Sequence, residues 1–289
     1  MLPTLCTLGN LVAGFAAIHY ASKDPALRVL GDWTPLSFAG ALIFLGLFLD
    51  AVDGSIARLT RSISDIGSQL DSLADVVTFG VAPAYLTLQL VINHLESDGW
   101  IIGPGADNVL GKVIWGAAAL YVCCVALRLA RFNVEAGEGG ISDHMSFRGL
   151  PSPGAAGTLA SLIILHQHML VSRFGGDVPD AFVQGAALGI PLAMLLCAFA
   201  MVSSIPYVHF TNRYVRGQRS FRYIARLVIL LALAVWWLQE TLALVFTVYS
   251  LSGPVRLAIR WRRRARAGSD GGRAPDVPAA PRGRAAGRG

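Results

Sequence analysis

AGALIFLGLFLDAVDGSIAR, residues 39–58, is the stretch on which the fold turns. Residues 39–48 carry no charge and no strongly polar group, yet Asp50 and Asp53 come directly after them. Downstream, GSQLDSLADVVTFG (67–80) adds Asp71 and Asp75 at the head of another apolar run. The chain as a whole is 289 residues, 54% hydrophobic and 15% charged, with a mean hydropathy of +0.55. A soluble domain carries about 25% charged residues, so this composition argues for an integral membrane protein. A spanning helix needs about 20 mostly apolar residues. Eight segments qualify, roughly 5–22, 36–57, 69–93, 109–130, 153–172, 183–207, 222–238 and 240–258. The expected fold is therefore all-α, with about eight transmembrane helices in a domain over 1–258. The first segment has no basic region before it and no convincing cleavage site, and reads as a retained helix.

The distribution of cations orients the chain. Cytoplasmic loops of membrane proteins are enriched in Lys and Arg. With eight spans and a cytoplasmic N-terminus, only Lys23, Arg28, Lys112 and Arg173 of the 24 basic residues fall outside. Both termini are thus expected on the cytoplasmic side of the cell membrane. Residues 259–289 are expected to form a basic, disordered cytoplasmic tail, rich in Gly, Ala, Pro, Arg and Asp. Its cluster WRRRAR (261–266) suits topological anchoring and anionic headgroups. No aromatic interleaving accompanies it, so nucleic acid is not an expected partner. The four cysteines, Cys6, Cys123, Cys124 and Cys197, lie inside apolar segments and show no disulfide or metal pattern. The histidines show no ligand spacing.

In this topology the four aspartates sit near one membrane face. Asp50 and Asp53 are three apart and Asp71 and Asp75 four apart, so each pair shares a helix face. The link between the helices is short, and the pairs can oppose one another. Clustered carboxylates repel, and one or two divalent cations relieve that repulsion. Oxygen-only ligands suit Mg²⁺, Mn²⁺ or Ca²⁺ and not zinc. Helix caps are the plainer explanation. They fit Asp71 and Asp75 at a helix start but not Asp50 and Asp53 at a helix end, where the dipole opposes them. An EF-hand fails as well, since DAVDGSIARLTR (50–61) ends without the required glutamate. Gly54 and Ala57 continue the face of Asp50 and Asp53 and let a ligand approach the backbone. Arg58 offers forked donors to a phosphate, and Gly67 opens the same space one turn before Asp71. Carboxylates, an arginine and a floor of small residues describe a diphosphate site.

The complete pattern, D-x2-D-G-x2-A-R-x8-G-x3-D-x3-D, runs through Asp50, Asp53, Gly54, Ala57, Arg58, Gly67, Asp71 and Asp75. It resembles the signature of the CDP-alcohol phosphatidyltransferases. The resemblance implies that Asp50, Asp53 and Asp71 hold a two-metal centre of Mg²⁺ or Mn²⁺. It implies that Asp75 touches a metal and is the general base, and that Gly54 and Arg58 hold the CDP diphosphate. A hydroxyl near Ser64 would contribute to CDP binding. So would the N-terminal segment PTLCT (3–7), which places Thr4 and Thr7 at the nucleotide. That segment more often has Asn where this chain has Thr4. Homodimers are usual in the family and are expected here on that ground.

The acceptor has its own candidate segments. ALRLARFNVE (126–135) and SFRGLPSPGAA (146–156) resemble the phosphatidylserine synthase branch, through Arg128, Arg131, Asn133, Phe147, Gly149, Leu150, Pro151 and Pro153. Arg128 and Arg131, three apart, can hold a serine carboxylate; as cytoplasmic topology charges they need no such role. Pro151 and Pro153 suit a helix entry. The implied reaction transfers the phosphatidyl group of CDP-diacylglycerol to L-serine, releasing CMP. Other acceptors (choline, glycerol 3-phosphate, inositol phosphate) and an archaetidyl donor remain open, as does a cation transporter. Against transport, the acids gather at one face instead of crossing the membrane. A prenyltransferase needs a second, distant acidic motif, and none follows Asp75 inside a span.

Overall fold

The computed structural model describes residues 2–60, 65–95, 102–137, 149–172, 179–203, 205 and 237–270. Its helices are α1 (Leu2–Ala21), α2 (Pro35–Thr60), α3 (Asp65–Asp75), α4 (Ala82–Leu95), α5 (Val109–Gly137), α6 (Ser152–Ser172), α7 (Asp180–Val202) and α8 (Leu238–Asp270). A π-helical segment, Val76–Val81, joins α3 to α4. Among the described residues there is no strand, only one isolated bridge between Leu30 and Trp33.

Six helical stretches are long and apolar enough to cross a membrane: Thr4–Ala21, Pro35–Ile56, Ile66–His94, Val109–Val134, Ser152–Val171 and Ala181–Val202. They correspond to the first six expected spans, and the protein is a multi-pass membrane protein. The seventh, 222–238, lies almost wholly outside the described residues. The eighth, 240–258, falls inside α8, a 33-residue helix that is not among the six.

Two compact units divide at Pro254, one of Met1–Gly253 and one of Pro254–Gly289. The described part of the second is helical as far as Asp270, beyond the point where a disordered tail was expected to begin. The physical reason lies in RLAIRWRRRARA (256–267), which is built largely from Arg, Ala and Leu, all strong helix formers. Residues 271–289 lie outside the described part.

Local chemistry sets the helix ends. Thr34 caps α2: its Oγ1 accepts from the Ser37 backbone N–H at 3.2 Å, and Pro35 stands at the first helical position. The expected helix entry at Pro151 is found, with the Ala155 N–H donating to the Pro151 carbonyl at 3.0 Å.

Packing rests on small residues, because lipid tails are as apolar as the helices and close backbone approach must supply the attraction. α1 and α2 make the most extensive helix pair. Ala13, Ala17 and Ala21 of α1 and Ala39 and Ile43 of α2 are buried. Gly14 and Gly46 form a notch for Thr78 of the π segment: an added Cβ would stand 2.8 Å from the Thr78 Cα at Gly14 and 2.5 Å from its Cγ2 at Gly46. The Thr78 hydroxyl donates to the Asn10 carbonyl at 2.9 Å. On the far side of the π segment, the buried Tyr121 of α5 donates its hydroxyl to the Phe79 carbonyl at 3.0 Å, satisfying a backbone group inside the apolar interior. The opposite pattern marks the lipid face. On α7, Leu188, Leu192, Leu196 and Phe199 form an exposed stripe, while Met194, Cys197 and Met201 turn inward.

Candidate active site

Asp50 and Asp53 lie on α2, and Asp71 and Asp75 lie in α3, with Asp75 directly before the π segment. The tertiary structure brings the two pairs together. One carboxylate oxygen each from Asp50, Asp71 and Asp75 lies within 4.8 Å of the others. Asp50 repels Asp71 and Asp53, and Asp75 repels Asp50, Asp71 and Asp53, so all four act on one another. Asp53 stands slightly apart from that triad. It is buried, its Oδ2 accepts a hydrogen bond from the Thr7 hydroxyl, and its Oδ1 has no partner.

A buried, unpartnered carboxylate oxygen beside three converging carboxylates is costly without a cation. An all-oxygen donor set fits a hard divalent ion such as Mg²⁺ or Mn²⁺ and does not suit zinc. The residues therefore fit the metal that the sequence pattern implies. Asp50, Asp71 and Asp75 are the best-placed ligands, with Asp53 adjoining.

The surroundings of the carboxylates divide into an open side and a closed side. On the open side, a Cβ built on Gly54 would meet nothing within 4 Å, so the α2 backbone is accessible there. Gly67 is half-buried on α3. Ala57 and Arg58 lie on α2, but their side chains are outside the described part, and Ser64 lies outside it altogether. On the closed side stands α1. Thr7 and Asn10, three apart and both buried, reach Asp53 and Asp75 respectively; the Asn10 Nδ2 donates to Asp75 Oδ1 at 3.0 Å. Thr7, expected at the nucleotide, thus meets a carboxylate, and Thr4 is exposed at the helix start. Asn10 was missed from the sequence. Its signal was a strongly polar residue on the same face as Thr7 in an otherwise apolar helix.

The proposed acceptor residues separate. Asn133, near the end of α5, donates from Nδ2 to the Ser72 Oγ at 2.9 Å, which ties it to the neighbour of Asp71. Arg128 is half-buried and interacts electrostatically with Tyr249 of α8, and Arg131 is exposed. The Tyr249 ring lies over the entry to α6, 2.8 Å from where a Cβ on Gly154 would stand. No sequence signal had singled out Tyr249. Phe147 and Arg148 lie outside the described part, but Gly149 and Leu150 are placed. Their N–H groups donate to the carbonyls of Ile205 at 2.8 Å and Ala200 at 3.0 Å, so this turn closes the C-terminal end of α7. Gly149 has φ +92°, and a Cβ there would fall 2.2 Å from the Met201 carbonyl oxygen; only glycine fits.

Comparison with known proteins agrees with this site. The family model for CDP-alcohol phosphatidyltransferase matches residues 1–196. A CDP-diacylglycerol–serine O-phosphatidyltransferase of Helicobacter pylori (strain J99) is 32% identical over 211 residues, covering 73% of this chain and 73% of its own. The enzyme of the same name from Bacillus subtilis is 30% identical over 224 residues, 77% of this chain and 98% of its own. That of Methanocaldococcus jannaschii is 30% identical over 216 residues, 75% of this chain and 82% of its own. With its four aspartates, the open helix surface at Gly54 and the match over residues 1–196, the chain belongs to the CDP-alcohol phosphatidyltransferase family.

Proposed function

We propose that the protein transfers the phosphatidyl group of CDP-diacylglycerol to L-serine, giving phosphatidylserine and CMP. The observation that carries this reading is the convergence of Asp50, Asp71 and Asp75 oxygens within 4.8 Å, next to the open backbone at Gly54. The choice of serine rests on the relatives, whose names specify it.

Each residue has a task in this reading. Gly54, Ala57 and Gly67 form the floor on which the diphosphate lies, and Arg58 donates to it. Ser64 and Thr4 contact the CDP moiety, and Thr7 does so while holding Asp53. Arg128, Arg131 and Asn133 receive serine. Asp75 takes the proton of the serine hydroxyl. The serine oxygen forms a bond to the phosphorus that bears diacylglycerol, the bond from that phosphorus to the bridging oxygen breaks, and the electron pair leaves with CMP. Asp50, Asp53, Asp71 and Asp75 would hold Mg²⁺ or Mn²⁺, two per site, which when bound would supply positive charge to the attacked phosphate and the leaving group. An aspartate is a weak base for an alcohol, with an ordinary pKa near 3.9, so positioning of the hydroxyl against Asp75 must contribute much of the rate.

The reading places the site at the cytoplasmic side of the cell membrane with both termini inside, on the strength of the Lys and Arg distribution. The acyl chains of the donor stay in the bilayer, the protein works as a homodimer, and 259–289 form a cytoplasmic basic arm. The test is CMP release by purified protein in detergent with CDP-diacylglycerol and Mn²⁺, comparing L-serine with choline, inositol phosphate and glycerol 3-phosphate. Release driven by serine and lost in Asp75→Asn supports the reading. Release with another alcohol removes serine and keeps the four-aspartate chemistry. No release from folded, metal-loaded protein overturns it.

A further inference from the structure

Three observations meet at Asn10. It is 0% exposed, on a helix that contributes none of the four aspartates. Its Nδ2 donates to Asp75 Oδ1 at 3.0 Å, and its carbonyl receives the Thr78 hydroxyl at 2.9 Å. Its Oδ1 is buried without a partner, pressed against Gly46, where an added Cβ would lie 2.8 Å away. Asp75 and Thr78 flank the junction of α3 and the π segment, and Asn10 holds both sides of it. A π turn carries an extra residue, which rotates the later residues by about 100° relative to an uninterrupted α-helix. Asn10 therefore ties the last residue of α3 to the π segment that follows it. A buried amide is expensive in this apolar setting. A leucine of the same branching would remove the orphaned Oδ1 but strip Asp75 Oδ1 of its donor, so the amide serves the carboxylate and not the packing.

We propose that Asn10 is a positioning residue that holds the Asp75 carboxylate turned toward Asp50 and Asp71, setting both the affinity of the centre for a divalent cation and the aim of the base. Thr7 performs the parallel task for Asp53 one helical turn earlier, so α1 is the frame of the carboxylate cluster. This inference rests on the reading of Asp75 given above. Partners that orient ligating carboxylates are worth roughly 10- to 100-fold in metal affinity or activity when removed.

The experiment measures Mn²⁺ binding to the purified full chain by electron paramagnetic resonance, alongside thermal unfolding and CMP release with its KM for CDP-diacylglycerol. Asn10→Leu keeps the branched skeleton and removes the amide. Thr78→Val keeps the shape and removes only the bond to the Asn10 backbone. The expected result is Mn²⁺ affinity and kcat of Asn10→Leu each lowered by roughly 10- to 100-fold. Its KM for the lipid stays near wild type while its unfolding temperature falls with the lost donor to Asp75, and Thr78→Val, which keeps that donor, loses less Mn²⁺ affinity than Asn10→Leu. Asn10→Leu binding Mn²⁺ as tightly as wild type overturns the proposal even if its activity falls. Should the leucine variant not fold, Asn10→Ser carries the same comparison. Wild-type protein that binds no Mn²⁺ overturns the metal-centre reading itself, and this proposal with it.

Discussion

Asn10 and Asp75, 65 positions apart in the chain, are joined by a hydrogen bond of 3.0 Å that links α1 to the residue at which α3 gives way to a π turn. The site is thus a three-helix construction. α2 and α3 supply the carboxylates, and α1 keeps two of them in place. Because α1 holds two of the four carboxylates, changes in it should be felt in metal binding as well as in catalysis.

Removing the hydroxyl that serves Asp53 tests the closed side of the site. Thr7→Val leaves both Asp53 oxygens without a donor, and a buried acceptor stripped of its partner costs about 1–3 kcal/mol. The unfolding temperature of metal-free protein should fall and that of Mn²⁺-saturated protein should fall less, since the cation neutralises the same group. Equal losses with and without Mn²⁺, in a calorimetric or fluorescence melt, would separate Thr7 from the metal centre.

Four mutually repelling carboxylates oppose folding until a cation arrives. Mn²⁺ at about 100 times its dissociation constant should stabilise wild-type protein by about 2.7 kcal/mol. Chelation should abolish CMP release reversibly. Asp71→Asn removes one of the repelling charges, so its metal-free form should melt higher than wild type while its response to Mn²⁺ is lost. A metal-free Asp71→Asn protein no more stable than wild type would contradict the crowding inferred at Asp50, Asp71 and Asp75.

Two glycines on α2 should behave oppositely. Gly46→Ala drives a methyl into Thr78 Cγ2 at 2.5 Å and Asn10 Oδ1 at 2.8 Å, an overpacking that costs about 1–3 kcal/mol. Gly54→Ala meets nothing within 4 Å and replaces a poor helix former with the best one, worth about 1 kcal/mol in favour of the fold. Its methyl nonetheless occupies the floor assigned to the diphosphate, so KM for CDP-diacylglycerol should rise by roughly tenfold or more, the scale of a lost close approach. A melt and a donor titration on the same two proteins decide the matter; normal donor KM in Gly54→Ala would remove the floor from the site.

Tyr249 offers a test of the acceptor side. Tyr249→Phe removes the hydroxyl that interacts with Arg128 while keeping the ring over Gly154. Without that neighbour Arg128 should hold serine less well, raising KM for serine severalfold, with little change in KM for the lipid donor. An effect on the lipid donor alone would place Arg128 at the diphosphate.

Much of the fold was legible because its determinants are local. Length and apolarity alone mark the first six spans, since a bilayer demands about 20 apolar residues per helix. The spacing of Asp50 with Asp53, and of Asp71 with Asp75, places each pair on one face whatever surrounds them. Glycine at 149 also had a visible cause once its partners were known, because the turn it occupies needs φ +92° against the Met201 carbonyl. What local rules could not supply were the partners across the bundle. The bond from the Thr7 hydroxyl to Asp53, 46 positions away, is one such partnership. Residues 259–270, placed in a disordered tail on composition, lie within α8.

The sequence by itself determined a multi-pass helical membrane protein with a carboxylate-rich site and a fitting family, because hydropathy and helical spacing are one-dimensional properties. Only the tertiary structure decided that Asp50, Asp71 and Asp75 converge within 4.8 Å while Asp53 stands aside. It alone decided that a π turn comes directly after Asp75 and that Asn10 of α1 donates to that carboxylate. Those facts depend on how closely Gly14 and Gly46 let three helices approach, and a distance between helices is written in no single one of them.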